Sequence, residues 1–174
     1  MVGRRKIIRN FLQAFDPKGF QVANPIFNRD KLDWFNGYYI RQISNENLLK
    51  KFENLNLKFE KLNENLKLKI VNLVKDRIKK INDFNELAKF FWEMPKVDKK
   101  LLGKNYKEHL SAAIDAIEKG TPLDKVPKDN NFKVGDFFMD LRIAVTGSRF
   151  TPPINESIEI IGKEEALERL KIVL

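Results

Sequence analysis

The most informative stretch of the chain is residues 141–154, Leu-Arg-Ile-Ala-Val-Thr-Gly-Ser-Arg-Phe-Thr-Pro-Pro-Ile. Its first half has the apolar spacing of a helix, and Thr146-Gly147 is typical of a helix end. The two prolines that follow stiffen the next turn. Such a turn presents backbone groups and short side chains in a fixed geometry. The stretch therefore predicts a rigid corner between two helices.

Helical period continues on both sides of this corner. Downstream, a final helix is predicted after Gly162, since acidic residues occupy its first turn and Lys171 its last, the order that suits a helix dipole. Upstream, we predict helices over residues 104–119, ended by Gly120, and over residues 134–145. Residues 121–133 are predicted to form a loop.

The first half of the chain has the same character. Asn28 is predicted to cap a helix over residues 29–42, and Ser44 a second helix that continues to residue 55. The longest helix is predicted over residues 61–81. Its apolar stripe consists of Leu62, Leu66, Ile70, Leu73, Val74, Ile78 and Ile81.

The fold class predicted from these patterns is all-α, with two packed helical subdomains. The helical pattern breaks at residues 93–98, which we interpret as the boundary between residues 1–95 and residues 96–174. The chain of 174 residues is long enough for two small cores, and its low glycine and proline content favours helices over a sandwich or barrel.

The composition also limits the class of function. No run of about 18 apolar residues is present, which argues against a membrane span. Without cysteine, the chain has no disulfide framework and no thiolate metal site. We find no histidine–carboxylate spacing typical of a metal site and no glycine-rich phosphate loop. A cytoplasmic protein is expected, and a small independent enzyme is not.

The positive charge is concentrated in the first part of the chain. Residues 1–100 carry 22 Lys and Arg against 12 Asp and Glu, whereas residues 101–174 carry 11 against 12. An uneven basic charge is typical of a surface that binds phosphates. Lysine enrichment for solubility is the alternative, and charge by itself does not separate the two.

Arg77 has the most suggestive position of the basic residues. It falls inside the apolar stripe of the predicted helix over residues 61–81, so its guanidinium must be paired or must project beyond the core edge. The structural interpretation is an arginine that snorkels from a helix seam or pairs with Asp83 or Glu86. Three lysines surround it, Lys75, Lys79 and Lys80.

A second informative stretch is residues 26–41, Ile-Phe-Asn-Arg-Asp-Lys-Leu-Asp-Trp-Phe-Asn-Gly-Tyr-Tyr-Ile-Arg. Gly37 inside a helix costs about 1 kcal/mol relative to alanine and usually marks close approach by another backbone. Tight helix packing is therefore the structural interpretation of Trp34, Gly37 and Tyr38. Lys31 within this stretch and Arg41 at its end are candidates for phosphate contacts.

These two stretches together resemble the C-terminal part of the bacterial-type glutamyl-tRNA synthetases (glutamate–tRNA ligases). The family patterns are F-x-x-x-K-L-x-W-x-N-G-x-Y-I-R and L-R-x-A-(L/V)-T-G followed by (S/T)-P-(P/G)-(L/I). The resemblance implies an all-α anticodon-binding region. The first subdomain would then contact the tRNA stem, and the second would complete an anticodon pocket.

The resemblance also implies roles for particular residues. Residues with predicted anticodon contacts are Arg77, Arg142, Arg149, Phe150, Thr151, Pro152 and Ile154. Residues with predicted stem or backbone contacts are Lys31, Arg41, Lys75, Lys79 and Lys80. Arginine suits this role because its planar fork can bond a base edge in two places and can stack. Asn155 stands where the family often has phenylalanine, which puts stacking there in question. An amide contact, or a different stacking partner such as Phe150, is the alternative. A plain turn between helices is the structural interpretation of residues 142–154.

The family's catalytic signatures, H-I-G-H-like and K-(M/L)-S-K-like, do not occur in the sequence. We therefore expect an anticodon-binding region separated from its catalytic domain, with no catalytic residues and no metal or cofactor of its own. ATP and Mg²⁺ would bind the missing domain of the parent class I ligase.

The implied partner is tRNA-Glu, with tRNA-Gln left open, and neither DNA nor membrane is expected. A monomer is implied. The alternative function is a helical module that docks an acidic protein through its basic face. The single histidine, His109, is interpreted as structural or solvent-facing and not as catalytic.

Overall fold

The structure, a computed structural model, describes residues 2–19, 26–55, 59 and 62–174, and the regular elements in these residues are all helical. The α-helices are α1 (Val2–Ala14), α2 (Arg29–Gln42), α3 (Asn45–Glu53), α4 (Glu64–Val74), α5 (Asp83–Ala88), α6 (Tyr106–Lys119), α7 (Val126–Asp129), α8 (Val134–Thr146), α9 (Ile154–Ile161) and α10 (Lys163–Val173). Single 3-10 turns occur at Pro17–Gly19, Lys75–Arg77, Lys89–Phe91 and Lys99–Leu101. The predicted all-α class is confirmed.

Side-chain caps begin the first helices where the sequence predicts them. The Asn28 side chain accepts a hydrogen bond from the Lys31 N–H at 2.9 Å, which starts α2. The Ser44 hydroxyl accepts from the Asn47 N–H at 3.3 Å, which starts α3. Each bond satisfies an amide that has no partner within its helix. Both predicted caps are confirmed, although α3 ends two residues before residue 55.

The predicted long helix over residues 61–81 is wrong. Helix α4 ends at Val74, a 3-10 turn follows, and Ile78 is extended. Residue 61 lies outside the described residues. The physical reason is Asp83, whose carboxylate accepts the backbone N–H groups of residues 79 and 80 at 2.9 and 2.8 Å. In a continuous helix these groups would donate four residues back. Ile78 is still fully buried, so the apolar spacing continues across the break.

Left-handed glycines end the helices of the second half. Gly120 (φ 71°) follows α6, and Gly147 (φ 74°) follows α8, as the sequence predicts. Glycine adopts this conformation without the steric cost that a Cβ would bring. The loop predicted over residues 121–133 contains the one-turn helix α7, and Pro127 lies in its first turn, where a missing N–H costs nothing.

Two clusters of buried side chains form the interior. The first cluster contains Ile40, Leu48, Leu49, Phe52, Phe59, Ile70, Val71, Val74, Ile78, Phe84, Ala88, Phe90 and Phe91. The second cluster contains Leu110, Ala113, Ile114, Ala116, Ile117, Val126, Phe137, Leu141, Ala144, Val145, Ile154, Ile158, Ala166, Leu170 and Val173. Burial of apolar surface is the main stabilising term of both.

Helix α9 and Gly147 connect the two clusters. Ile154 and Ile158 belong to the second cluster, whereas Ile160 packs against the first and Ile161 against both. The backbone of Gly147 lies against the segment between the clusters, because a Cβ at this position would be 3.0 Å from the Lys96 carbonyl oxygen. The subdomain boundary at residues 95–96 lies in this segment and stays a prediction.

Helix α2 packs against the 3-10 turn Lys75–Arg77. Gly37 is buried, and a Cβ there would lie 3.6 Å from the Ile78 carbonyl oxygen, so the predicted approach of a second backbone is confirmed. Trp34 and Tyr38, in contrast, are exposed and stack on each other with ring centroids 5.7 Å apart. Within the described residues, no helix has the length and apolar character needed to cross a bilayer.

Candidate nucleic-acid interface

Arg77 lies on the surface, at the last position of the turn Lys75–Arg77. The prediction that it lies inside an apolar stripe is wrong, because α4 has already ended at Val74. Its expected partner Asp83 accepts backbone N–H groups instead. Among the described residues, neither Asp83 nor Glu86 forms an ion pair with Arg77. The guanidinium is therefore available to a ligand.

Arg142 lies close enough to Arg77 for their charges to interact, although 65 positions separate them in sequence. It belongs to α8 and is half-buried. Burial first, and then the positive charge of Arg77, lower the pKa of Arg142 from its ordinary value. Its Nε is buried and has no hydrogen-bond partner among the described residues. A buried, unpaired charge is costly unless a ligand compensates it.

The two arginines thus form a cationic pair that lacks a carboxylate within the described part of the chain. One comes from the first region and the other from the second, so the pair marks the junction between them. Two like charges repel, and an anion or a base acceptor placed between them would relieve that repulsion. Their planar forks suit a phosphate or a base edge. We call these residues the arginine pair.

The turn after α8 is held by its own hydrogen bonds. The Thr146 hydroxyl donates to the Arg142 carbonyl oxygen at 2.7 Å, and Ser148 N–H donates to the Thr146 hydroxyl oxygen at 3.3 Å. The Phe150 N–H donates to the Ser148 hydroxyl oxygen at 3.1 Å. The Arg149 guanidinium donates to the Leu101 carbonyl oxygen at 3.1 Å. The turn is therefore fixed before any ligand arrives.

Phe150 is 83% exposed at the tip of this turn. An aromatic ring so exposed on a rigid turn can stack on an unpaired base, since every base has a π-face. Asn155, where stacking was in question, instead donates its amide to the Asp124 carboxylate at 3.1 Å. Of the two positions weighed from the sequence, Phe150 is the one free to stack.

The remaining predicted anticodon residues are buried. Ile154 belongs to the second cluster, and Thr151 and Pro152 are also buried, with the Thr151 hydroxyl donating to the Pro152 carbonyl oxygen at 3.1 Å. Their side chains fix the exit of the turn into α9. A direct contact with RNA from these three residues stays a prediction.

Helix α10 contacts the end of α8, from which the same turn leaves. Arg169 is only 4% exposed, and its Nη1 donates to the Val145 carbonyl oxygen at 2.9 Å. Its Nε donates to the Glu165 carboxylate at 2.8 Å. The bond to Val145 satisfies a carbonyl at the end of α8 that has no partner within the helix. The end of α8 is thus fixed from the last helix.

The predicted stem-contact residues lie on α2 and on the segment that packs against it. Arg41 folds back over Gly37 near the Ile78 carbonyl. The Lys80 ammonium lies 3.3 Å from the Asp33 carboxylate of α2, and the Lys75 ammonium donates to the Asn45 side chain at 3.3 Å. Lys31 and Lys79 are exposed. Because α2 packs on the turn that carries Arg77, this basic surface adjoins the arginine pair.

A cleft of about 400 Å³ separates residues 86–96 from the turn after α8. Its polar lining includes Glu86, Lys89, Glu93, Lys96 and Thr146. No local pattern of the sequence predicts this cleft, because its two walls are brought together by tertiary packing that includes Gly147 on Lys96. Asp140 was not predicted as a site residue, although a carboxylate within the apolar helix over residues 134–145 was a usable signal of a buried polar pair.

Known proteins were compared with the chain. A family described as an anticodon binding domain matches residues 38–174. The glutamate–tRNA ligase of Treponema denticola is 32% identical, over 91% of this chain and 40% of the relative, and that of Borreliella afzelii is 36% identical, over 84% and 35%. A solved glutamate tRNA ligase from Elizabethkingia meningosepticum, in complex with its amino acid, superposes with a TM-score of 0.67 at 26% identity, over 91% of this chain and 34% of that chain. The chain thus spans two fifths or less of these relatives.

Proposed function

Because the chain belongs to the family of anticodon-binding domains, we propose that it is the tRNA-binding part of a glutamate–tRNA ligase and that it recognises the anticodon of tRNA-Glu. The observation that carries the proposal is the arginine pair, Arg77 and Arg142, which repel each other and lack a carboxylate partner within the described residues. A site with uncompensated positive charge is arranged for an anionic ligand.

Three features of the surface contribute to RNA recognition: the arginine pair, Phe150 and the basic surface of α2 and residues 75–80. The arginine pair donates to base edges or phosphates of the anticodon, and Phe150 stacks on an unpaired base. The basic surface of α2 and residues 75–80 contacts the backbone of the stem and supplies affinity without sequence preference. Buried Thr151, Pro152 and Ile154 hold the turn that carries Phe150.

Attachment of glutamate is assigned to the part of the relatives that this chain does not span. ATP and Mg²⁺ belong to that part as well, and the chain itself is expected to bind neither. As a component of translation it acts in the cytoplasm, as a monomer. The alternative of a module that docks an acidic protein has no observation in its favour.

The test is filter binding of the 174-residue chain to tRNA-Glu and to an anticodon-swapped transcript, at low and at physiological salt. We expect a preference for the cognate anticodon and a steep fall of both affinities with salt. Arg77→Gln and Arg142→Gln should each weaken the binding free energy for tRNA-Glu by about 1–3 kcal/mol. The loss should be smaller for the anticodon-swapped transcript. Lys119→Gln is the matched control, since it removes one charge from an exposed position at the end of α6.

Unfolding is measured on the same variants. Arg142→Gln removes a half-buried charge that has no partner, so its melting temperature should equal or exceed that of the parent chain. Equal losses for both RNAs would reduce the arginine pair to a phosphate contact. Absence of binding to either RNA, in a chain that melts cooperatively, would refute the proposal.

A further inference from the structure

A second cleft, of about 540 Å³, opens on the other side of the turn after α8. Gly147, Ser148 and Thr151 line the first cleft, whereas Arg149 lines the second. Exposed Phe150 lies between them in sequence. The turn therefore separates two clefts of the size that holds small ligands. No role has been assigned above to the second cleft.

The wall of this cleft contains a buried histidine–aspartate pair. His109 and Asp140 are 5% and 2% exposed, and the His109 Nδ1 lies 2.7 Å from the Asp140 Oδ2. The other carboxylate oxygen accepts the Gly103 N–H at 2.7 Å. A Cβ at Gly103 would lie 3.1 Å from Asp140 Oδ2, so the close approach of this backbone suits glycine. The carboxylate thus holds the imidazole in one orientation.

The second imidazole nitrogen is left without a partner. His109 lines the cleft, and its Nε2 forms no hydrogen bond within the described residues. A carboxylate accepts the proton of Nδ1, so the neutral ring has a lone pair on Nε2. Nε2 is open to the solvent of the cleft, because it is not among the buried side-chain atoms that lack a partner in the described residues. An acceptor open at a cleft can bind a donor from a ligand in place of water.

The rim of the cleft adds positive charge. Lys104 and Arg149 line it, and Lys99 and Lys100 lie in the preceding 3-10 turn. Asp136 also lines the cleft, so the rim carries one carboxylate beside its basic groups. A hydrogen-bond acceptor in the wall and ammonium and guanidinium groups at the rim together match a nucleotide, which carries hydroxyl or amine donors and a phosphate.

We propose that this cleft holds one unstacked nucleotide of the bound RNA, with a ribose hydroxyl or base amine donating to Nε2 of His109 and the phosphate at Lys104 and Arg149. The proposal rests on the proposed function, because the RNA must already be bound through the arginine pair. Asp140 is a positioning residue in this scheme, and Phe150 stacks on a neighbouring base.

The decisive experiment uses the fact that His109 is the only histidine. The 174-residue chain is labelled with ¹⁵N-histidine and titrated with the anticodon stem–loop of tRNA-Glu, while filter binding with the same RNA measures affinity. We expect the Nε2 resonance to shift upfield and to saturate with the binding curve, while Nδ1, already bonded to Asp140, moves little. A merely structural histidine would leave Nε2 unchanged.

His109→Asn supplies an independent measurement. The asparagine amide can still donate to Asp140, but no acceptor replaces Nε2. We expect a loss of roughly fivefold in affinity for the stem–loop, the size of one neutral hydrogen bond. Ser111→Ala, at an exposed position of the same helix that does not line this cleft, is the control and should bind as the parent does.

The outcomes separate the two proposals. RNA that binds the chain without moving Nε2, together with parent-like affinity of His109→Asn, overturns the nucleotide site and leaves the proposed function standing. Absence of RNA binding overturns the proposed function, and the nucleotide site falls with it. If His109→Asn unfolds, the Nε2 titration of the parent chain decides alone.

Discussion

The region before residue 93 and the region after residue 98 reach a buried core in different ways. The first cluster is built on large aromatic rings, with Phe52 and Phe84 stacked at 3.8 Å, and its chain path is broken by 3-10 turns. The second cluster is built on aliphatic and alanine side chains between regular helices. Most of the positive charge lies in the first region. The comparison teaches that one region supplies charge and the other a rigid turn, and the proposed RNA interface lies where they meet.

The regions also differ in what they leave exposed. Trp34, Phe35, Tyr38 and Tyr39 on α2 are each at least 40% exposed, whereas in the second region Phe150 stands out at 83%. The family match begins at residue 38, so half of this aromatic surface, Trp34 and Phe35, precedes it. The isolated Phe150 has a role in the proposed interface, whereas these aromatic side chains on α2 have none in it.

The strongest test of the comparison asks whether the two regions unfold together. Phe84→Ala and Leu141→Ala each remove a fully buried side chain and should cost about 3–5 and 2–5 kcal/mol of unfolding free energy. Both tryptophans, Trp34 and Trp92, lie in the first region, so fluorescence reports on that region and circular dichroism on the whole chain. We expect Leu141→Ala to move both urea midpoints equally, because α9 packs against both clusters. An unmoved fluorescence midpoint would make the regions independent.

A smaller effect tests the contact at the junction. Gly147→Ala places a Cβ at positive φ and 3.0 Å from the Lys96 carbonyl oxygen and the Pro95 Cβ. Gly120→Ala has nearly the same φ and no atom within 4 Å, so it measures the backbone strain alone. We expect Gly120→Ala to lower the free energy of unfolding by about 1–2 kcal/mol, and Gly147→Ala to lower it by about 1–3 kcal/mol more. Urea unfolding measures both values. Equal costs would show that the turn does not press on the connecting segment.

Helix ends were the part of the fold that could be predicted. Gly120 and Gly147 end helices because a left-handed cap depends on one residue and its neighbours. The break after Val74 was missed because buried Ile78 continues the apolar spacing, and periodicity alone cannot separate a helix from a turn that returns to the same core. The end of the helix at this point depends on Asp83, which accepts the backbone N–H groups of residues 79 and 80, and on the packing of α2 against the turn.

The candidate site was predictable in its members more than in its arrangement. Arg77 and Arg142 were identified, but their proximity depends on the packing of the two regions, which no local pattern contains. The burial of Thr151 and Ile154 was missed because a short proline-containing segment has no period from which burial can be inferred. The open nitrogen of His109 depends on Asp140, 31 residues away.

The smallest predicted effect compares one exposed carboxylate in each region. The hydrogen bond from Lys171 lowers the pKa of Glu118. The pKa of Glu46 is lowered first by a hydrogen bond from the Glu46 backbone N–H and then by one from the Ser44 hydroxyl. A depressed pKa in the folded state adds stability above the unfolded pKa, and that stability is lost as the pH falls through the folded value. Lys171→Met should raise the pKa of Glu118 and leave that of Glu46 unchanged, as carboxyl-carbon NMR would measure. The melting temperature of Lys171→Met should fall slightly less on acidification than that of the parent chain. A shift of both pKa values would mean that the regions are electrostatically coupled.

The hydrogen bond from Arg169 to the Val145 carbonyl has a consequence for biosynthesis. A ribosome delivers Arg142 and Phe150 before Arg169, and at about 5–20 residues per second the interval is roughly one to four seconds. During that interval the arginine and the ring have left the peptidyl-transferase centre while the group that fixes the end of α8 has not been made. A ribosome that stalls there holds a chain with the basic residues of the proposed interface but without the finished turn.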